Sequence, residues 1–284
     1  MQSGLIEPSA ATEPWALRDL PPFPWITTKV LQLFAAPSDT VDAKRLSELI
    51  RADASLSSEL LRRANSALYG LRSQIGTVDR AVTMLGLDQV KGLAMTVGVG
   101  SYLRSSLKLA VLRRCWRHSL GCALIAEELA PALKARPDQA YTAGLLHDLG
   151  RLGLLVKYPQ SYADLLNVCI ENHFDLMSSE RDLFDIDHCE AGSWLAEGWE
   201  FPQDLVEVIA EHHHRPPETS TPLLKTIHLS CRLADAIGFD VVERKEAEAV
   251  ADIAEELPNK MSYLLDDAGA ELRSRLANKV NALE

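Results

Sequence analysis

Apolar residues recur at the spacing of a buried helix face along most of the chain, and no stretch alternates apolar and polar residues for long. A proline-rich segment at 20–24, which cannot be helical, precedes the first run. That run lies at Val30, Leu31, Leu33 and Phe34, and the second lies at Val41, Leu46, Leu49 and Ile50. Ser38 or Asp39 is the predicted N-cap of the second helix. Because a half-buried strand needs a period of two, the sequence predicts an all-α fold.

Glycines mark the ends of the next two predicted helices. The third helix is predicted from Leu56 to about Tyr69, before Gly70, and the fourth from Thr77 to Gly86. The segment 92–103 contains Gly98-x-Gly100 but lacks the preceding strand and the third glycine of a dinucleotide-binding fingerprint. We interpret these glycines as sites of close helix packing.

The second half of the chain places polar side chains on predicted helices. A long helix from about Val111 to Ala135 puts Cys115, His118 and Cys122 along one face, at spacings of three and four. A following helix runs from Asp138 into His147-Asp148 and is predicted to break at Gly150. Both side chains can then turn toward one point.

Three more predicted helices carry histidine or aspartate. The first spans 187–196 with His188 in its first turn, and the second opens at Pro202 and leads to His212 and His213. Successive helix residues turn by about 100°, so at most two of the three histidines 212–214 can face one site, and His214 is predicted to face solvent. The third helix, 223–237, carries Asp235 near its end, and His228 lies on the same face.

Composition restricts the function classes. The net charge of −11 works against binding a phosphate backbone, so nucleic acid is not an expected partner. Five cysteines form no Cys-x-x-Cys pair, which indicates a reducing cytoplasm rather than a disulfide framework. No signal peptide is evident, and the uncharged segment 92–103 is shorter than the roughly 20 residues that span a bilayer.

The chain is predicted to have four parts. Residues 1–19 form a flexible leader, 20–108 an N-terminal helical bundle, 109–242 a second helical domain, and 243–284 a charged helical extension with a break at Pro258. The extension either covers the core or forms a dimer interface, and the sequence does not separate these alternatives.

Histidine and aspartate residues of the second half form the most informative set. Any one of them alone is more often a hydrogen-bonded core residue. Imidazole and carboxylate together suit iron, manganese, nickel or zinc, and two such metals bridged by water activate a nucleophile and bind a phosphate. The candidate ligands of two divalent ions are His118, His147, Asp148, His188, His212, His213 and Asp235.

These residues stand in the order found in a known superfamily. Residues 142–151 (TAGLLHDLGR) resemble the signature of the HD metal-dependent phosphohydrolases. The chain resembles more closely the HD-related output domain, or HDOD, family over about residues 18–240. The matching segments are 20–24 (LPPFP), 50–56 (IRADASL), 65–70 (NSALYG), 81–87 (AVTMLGL), 116–119 (WRHS), 188–202 (HCEAGSWLAEGWEFP) and His212-His213 before Pro216. Ala54 departs from the proline usual in the family.

The resemblance implies a helical module of bacterial signal transduction, without established catalysis in most members and with signalling proteins as partners. In the related HD-GYP phosphodiesterases, residues at the matching positions hold two metals, and the hydroxide between the metals attacks the phosphate of a cyclic dinucleotide. Asp148 and Arg151, which takes the place of a lysine, would then be catalytic. Arg114 stands where trinuclear members have an acidic ligand, and the Gly-Tyr-Pro loop is replaced by His214-Arg215-Pro216-Pro217, so neither a third metal nor cyclic di-GMP specificity carries over.

Two functions therefore stay open. The chain is a signalling module that acts through protein contacts, with a homodimer as one alternative, or it is a metal-dependent phosphohydrolase of a nucleotide or cyclic dinucleotide. In the second case Arg151 would contact the phosphate through a two-pronged hydrogen bond. A charge at a helix C-terminus is the competing interpretation of Arg151.

Overall fold

The computed structural model describes residues 13–35, 43–71, 73–242, 248–257 and 269–284. The predicted N-cap at Ser38 or Asp39, most of the leader and the break at Pro258 lie outside these residues. Every regular element within the described ranges is helical, which confirms the all-α prediction. None of the helices described combines the length and apolar character that crossing a bilayer requires.

The N-terminal helices are α1 (Trp25–Ala35), α2 (Ala43–Arg51), α3 (Ala54–Ala64), α4 (Val78–Leu85) and α5 (Leu87–Leu103). The central helices are α6 (Arg113–Leu129), α7 (Pro137–Leu146), α8 (Leu149–Lys157), α9 (Pro159–Asn172) and α10 (Leu176–Phe184). The remaining helices are α11 (His188–Gly198), α12 (Gln203–Glu211), α13 (Pro222–Ala234), α14 (Val250–Glu256) and α15 (Ala270–Leu283).

Polar side chains fix the starts of several helices. The Asp53 carboxylate accepts a hydrogen bond from the backbone N–H of Leu56 at 2.9 Å, so α3 has its cap although alanine follows Asp53. Thr77 caps α4 in the same way by accepting from the N–H of Arg80. Gly70 follows a short 3-10 helix at Ala67–Tyr69, and Gly86 follows α4. Their φ angles of 55° and 87° lie in a region that favours glycine.

Helix α5 is the central helix of the N-terminal half, and α1, α3 and α4 pack against it. A Cβ at Gly98 would lie 2.1 Å from Oγ1 of Thr27 on α1, so the interpretation of this glycine as a close-packing site is confirmed. A Cβ at Gly92 would lie 3.2 Å from the ring of Tyr141 on α7. Close contact at α5 therefore joins the two halves into one apolar core.

The second half is built on the α6–α7 pair, against which α13 also packs. A Cβ at Gly144 would lie 2.8 Å from the backbone of Ala123, so the two helices touch where Gly144 has no side chain. Helix α8 packs against α11 at a second close approach, where a Cβ at Gly150 would lie 2.0 Å from the carbonyl oxygen of His188. These two contacts bring His118, His147, Asp148 and His188 together.

Several predicted boundaries are corrected. The break predicted at Gly150 lies instead at His147-Asp148, and Gly150 is inside α8. The helix predicted over 111–135 ends at Leu129, and that predicted over 223–237 ends at Ala234, after which Asp235–Phe239 forms a wider turn. The break at His147-Asp148 is decided by tertiary contacts, since neither residue is a strong helix breaker.

Helix α15, in the described part of the C-terminal extension, covers part of the core. Buried residues Leu276, Val280 and Leu283 of α15 face inward, and α15 packs against α6. Arg117 of α6 binds the carboxylate of Glu284 at 2.5 Å and the side-chain oxygen of Asn281 at 2.9 Å. Of the two alternatives for this segment, the structure of its described part supports a cover over the core.

Candidate metal centre

The Asp148 carboxylate lies at the centre of the candidate site, in the turn between α7 and α8, and is fully buried. Its Oδ2 atom lies 3.6 Å from Nε2 of His147 and 3.9 Å from Nε2 of His118. Its Oδ1 atom lies 3.5 Å from Nε2 of His188 and 3.5 Å from Nε2 of His212. The two oxygens therefore face two separate groups of metal-binding side chains.

The first group, the N2S2 cluster, consists of His118, Cys122, His147 and Cys231. Nε2 of His118 lies 3.2 Å from Nε2 of His147, 3.5 Å from the Cys122 sulfur and 3.6 Å from the Cys231 sulfur. Nδ1 of His118 lies 3.0 Å from the Phe239 carbonyl oxygen, and Nδ1 of His147 lies 2.7 Å from the Gly144 carbonyl oxygen. Since a carbonyl accepts a hydrogen bond, both Nδ1 atoms donate, and the Nε2 lone pairs point into the cluster.

The second group, the imidazole cluster, consists of His188, His212 and His213, with the Cys189 sulfur also within reach. Nε2 of His188 lies 2.9 Å from Nε2 of His213. Nδ1 of His212 donates to the Ile209 carbonyl at 3.1 Å, which directs its Nε2 toward Asp148. Of the three successive histidines, His212 and His213 thus face the site, whereas His214 is exposed beside Glu211, as predicted.

Glu180, which no sequence pattern indicated as a site residue, orients the imidazole cluster. It is fully buried, and its Oε2 accepts from Nδ1 of His188 at 2.6 Å and from the His188 backbone N–H at 3.0 Å. Its Oε1 accepts from the Tyr162 hydroxyl. A carboxylate on the outer nitrogen of a metal-binding histidine fixes the ring and its tautomer. No spacing rule in the sequence links α10 to His188.

Cys122 and Cys231 were also not predicted as ligands. Cys122 lies one helical turn after His118 on α6, a spacing visible in the sequence. Cys231 lies on α13, one turn before Asp235 in the chain, and its sulfur is 3.6 Å from Nε2 of His118. Only the packing of α13 against α6 reveals that the two sulfurs meet.

Arg151 is buried beside the carboxylate rather than at a solvent-exposed helix end. Its guanidinium pairs with Oδ2 of Asp148 and lies 3.2 Å from Nε2 of His188. It lies at the start of α8. The interpretation of Arg151 as a charge at a helix C-terminus is therefore wrong.

Three more residues flank the site. The Asp235 carboxylate lies 3.3 Å from Nδ1 of His118, on the side away from the N2S2 cluster. His228 donates from Nδ1 to the backbone carbonyl of His212 at 2.9 Å, so it supports a ligand segment without touching the ligand rings. Arg114, which replaces the acidic residue of a third metal site, pairs with Asp240 at 2.8 Å.

The electrostatics favour an anionic carboxylate and thiolate. Burial opposes ionisation of Asp148, but the Arg151 guanidinium and His147 hold its pKa well below its usual range. A hydrogen bond with Cys122 lowers the pKa of Cys231 well below that of a free thiol, and His118 adds to this effect. Burial works against the charged form of His118, yet its contact with Cys231 and the charges of Cys231, Asp235 and Asp148 raise its pKa to about 9.

Two buried polar atoms of the site fit a bound cation. Oδ1 of Asp148 and Nε2 of His212 make no hydrogen bond within the described part of the chain. An unsatisfied buried polar group costs roughly 1–3 kcal/mol, so such atoms normally have a partner. Burial and the nearby His212 also keep the pKa of His213 well below its usual range, so this ring is neutral and able to ligate. Donors of this kind suit a divalent transition metal.

A cavity of about 400 Å³ reaches the site from the surface. Its wall includes five residues of the site: His118, Arg151, His188, His213 and Asp235. Phe174, Leu176 and Met177 contribute apolar wall area. The volume is that of a small-molecule pocket, and its polar end is the metal centre.

Comparison with known proteins identifies relatives over most of the chain. The family model of the HDOD domain matches residues 20–215. An uncharacterized protein of Treponema pallidum (strain Nichols) is 30% identical over 212 residues, which cover 72% of this chain and 40% of that protein. The chain thus spans about two fifths of the length of this relative.

Solved structures share the fold. An HDOD domain protein of unknown function from Geobacter sulfurreducens has a TM-score of 0.71 at 21% identity, covering 93% of this chain and 89% of its own. A protein of Shewanella amazonensis SB2B, provisionally named a phosphohydrolase, has a TM-score of 0.63 at 26% identity. The match covers 95% of this chain and 97% of the Shewanella chain. A protein of Marinobacter aquaeolei VT8, provisionally named a signal transduction protein, has a TM-score of 0.69 at 21% identity. The match covers 93% of this chain and 58% of the Marinobacter chain.

Proposed function

The chain belongs to the HDOD family, and from this membership we propose that it is a regulatory module of bacterial signal transduction with a divalent metal centre in its second half. One observation carries the proposal: the Asp148 carboxylate lies between two groups of metal-binding side chains, and its Oδ1 faces an equally unpartnered His212 nitrogen at 3.5 Å. When bound, a metal there would act as a Lewis acid or as a fixed structural link between helices.

Contacts of the ligand residues support a regulatory rather than catalytic centre. Arg151 pairs with Oδ2 of Asp148, which leaves Oδ1 as the carboxylate oxygen available to a metal. His147, Asp148 and His212 are at most 1% exposed and are not among the residues that line the cavity, so solvent has little access to their ligand atoms. In this proposal the metal links α7, α8, α11 and α12. Binding or loss of the metal changes the relative positions of these helices, and therefore the surface that partner proteins contact.

Other signalling proteins are the proposed partners. The net charge of −11 disfavours binding of nucleic acid. The chain spans 58% of the Marinobacter protein, a relative named for signal transduction that has further sequence beside this fold. We place the protein in the cytoplasm because all five cysteines are free and buried. In this proposal residues 20–108 and 109–242 form the two functional parts of the module.

A phosphohydrolase is the second candidate, and the cavity of about 400 Å³ favours it. The Arg151 guanidinium and three site histidines, His118, His188 and His213, lie in its wall, where an anionic substrate would meet both a cation and the metal ligands. The Shewanella relative provisionally named a phosphohydrolase supports the same alternative. A nucleotide or cyclic dinucleotide would be the substrate class.

Turnover separates the two candidates. The full chain, loaded in turn with iron, manganese, nickel and zinc, is incubated with a panel of nucleotides and cyclic dinucleotides, and product is followed by chromatography. The regulatory proposal expects retained metal without turnover. Turnover that disappears in His147→Ala would instead establish the phosphohydrolase.

A further inference from the structure

We infer that the N2S2 cluster is a zinc site in which Cys122 and Cys231 bind the metal together with His118 and His147. This inference rests on the proposed metal centre and specifies one of its two positions. It adds two thiolates to a site otherwise made of imidazole and carboxylate. It also makes the two metal positions chemically different.

The cluster has the dimensions of a tetrahedral zinc site. Zn–N bonds of about 2.0–2.1 Å and Zn–S bonds of about 2.3 Å separate two ligand nitrogens by about 3.3 Å, and a nitrogen from a sulfur by about 3.6 Å. The His118 and His147 nitrogens are 3.2 Å apart. The two sulfurs lie 3.5 Å and 3.6 Å from the His118 nitrogen. All four ligand atoms lie within 4.8 Å of one another.

The ligand nitrogens of the N2S2 cluster face each other rather than separate partners. Both histidines donate from Nδ1 to a backbone carbonyl, so in their neutral form both Nε2 atoms are acceptors. Two acceptors facing each other at 3.2 Å repel unless a proton or a cation lies between them. A metal ion satisfies both nitrogens at once, and it also satisfies the sulfurs.

The surroundings match a closed structural site. His118, Cys122, His147 and Cys231 are each at most 3% exposed and come from α6, the end of α7 and α13. Two thiolates neutralise a divalent cation, so the ion is not an uncompensated buried charge. The Phe239 carbonyl, which accepts from Nδ1 of His118, then orients this ligand, and the Asp235 carboxylate at 3.3 Å from the same nitrogen raises its basicity.

Ligand softness predicts which metal binds. Two thiolates and two imidazoles in a tetrahedral arrangement select zinc over manganese, which prefers oxygen ligands. The imidazole cluster with Oδ1 of Asp148 has no such preference for a soft metal. The chain would therefore hold zinc in the N2S2 cluster and exchange a second, harder metal at the imidazole cluster.

Cobalt substitution tests the inference on the full chain. The protein is stripped of metal under reducing conditions and titrated with Co²⁺, and the near-ultraviolet thiolate-to-cobalt charge-transfer absorption is recorded. The wild-type chain is expected to show this band together with the visible absorption of tetrahedral cobalt, and Zn²⁺ is expected to displace both. Zinc retention is measured in parallel by elemental analysis.

Serine variants assign the band to individual sulfurs. Cys122→Ser and Cys231→Ser are expected to remove or strongly reduce the band and to weaken zinc binding by at least about 100-fold, since outer-shell changes alone cost 10–100-fold. Cys115→Ser is the matched control, because Cys115 is buried on the same helix but outside the cluster. Cys189→Ser tests the sulfur near the imidazole cluster, and it is expected to leave the band unchanged.

The outcomes separate the inference from the proposed function. Cobalt bound without the charge-transfer band, or with a band lost only in Cys189→Ser, would overturn the inference and leave the metal centre standing. A wild-type chain that binds neither cobalt nor zinc would overturn both. If the serine variants unfold, protection of Cys122 and Cys231 from alkylation by added zinc in the wild type decides the question, and absence of protection contradicts the inference.

Discussion

Oδ1 of Asp148 and Nε2 of His212 lie 3.5 Å apart, and neither atom makes a hydrogen bond within the described residues. The first comes from the turn after α7 and the second from the turn after α12. Their closeness is a product of tertiary packing. An unsatisfied carboxylate oxygen facing an unsatisfied imidazole nitrogen is the arrangement that a cation between them would complete.

Asp148→Asn is therefore expected to weaken metal binding at the imidazole cluster by at least about 10–100-fold, because it removes the anionic ligand between the histidines. Manganese affinity measured by chelator competition tests this. Asp164→Asn, an exposed change on α9, is the control and should bind as the wild type does. Unchanged affinity in folded Asp148→Asn would contradict the role given to this carboxylate.

Glu180→Gln is expected to reduce affinity at the imidazole cluster by about 10–100-fold while the chain stays folded, because the carboxylate that orients His188 loses its charge. Metal affinity and circular dichroism, measured on the same samples, give the two readouts. Glu190→Gln changes an exposed residue of α11 that pairs with Arg181, and it should leave the affinity unchanged. Equal effects of the two substitutions would show that orientation of His188 is not the cause.

Gly150→Ala is expected to destabilise the chain by roughly 1–3 kcal/mol or more, since its Cβ would lie 2.0 Å from the His188 carbonyl and 2.4 Å from the Gly192 nitrogen. The free energy of unfolding in urea measures the effect. Gly198→Ala is the control, because a Cβ there has no atom within 4 Å, and its effect should stay within about 1 kcal/mol. A neutral Gly150→Ala would mean that α8 and α11 separate easily.

Glu59 supplies a pH-dependent contribution to stability outside the site. Its hydrogen bond with Arg62, opposed by burial and aided by Arg63, lowers its pKa from 4.5 to about 2. A lowered folded-state pKa gives stability that is fully present above pH 4.5 and is lost as the pH falls toward 2. Glu59→Gln should therefore lower the free energy of unfolding at pH 7, and its difference from the wild type should shrink at pH 3. A difference independent of pH in urea titrations would argue against this ion pair.

The helical period allowed the all-α fold to be predicted, and it also placed most helices to within a few residues. It failed where tertiary contacts decide a boundary. The end of α7 at His147-Asp148 was predicted at Gly150, because glycine is the usual local signal. Gly150 is instead required by the close approach of α8 to α11.

The site was predictable to the extent that its residues follow a pattern along the chain. The order of histidines and aspartates singled out His118, His147, Asp148, His188, His212 and His213, and the structure brings these six together. Their role as metal ligands stays a prediction. Glu180 and Cys231 had no such pattern, because each meets its histidine from a helix distant in the sequence.

By itself, then, the sequence determined the helical class, the family resemblance and which residue types could bind a metal, because periodicity and motif order are properties of the chain. Only the tertiary structure decided which side chains share a site. It set Cys231 on α13 beside His118 on α6, and Arg151 against Asp148. The physical reason is that packing at glycines such as Gly144 and Gly150 sets the separation of whole helices, and with it every distance between the side chains they carry.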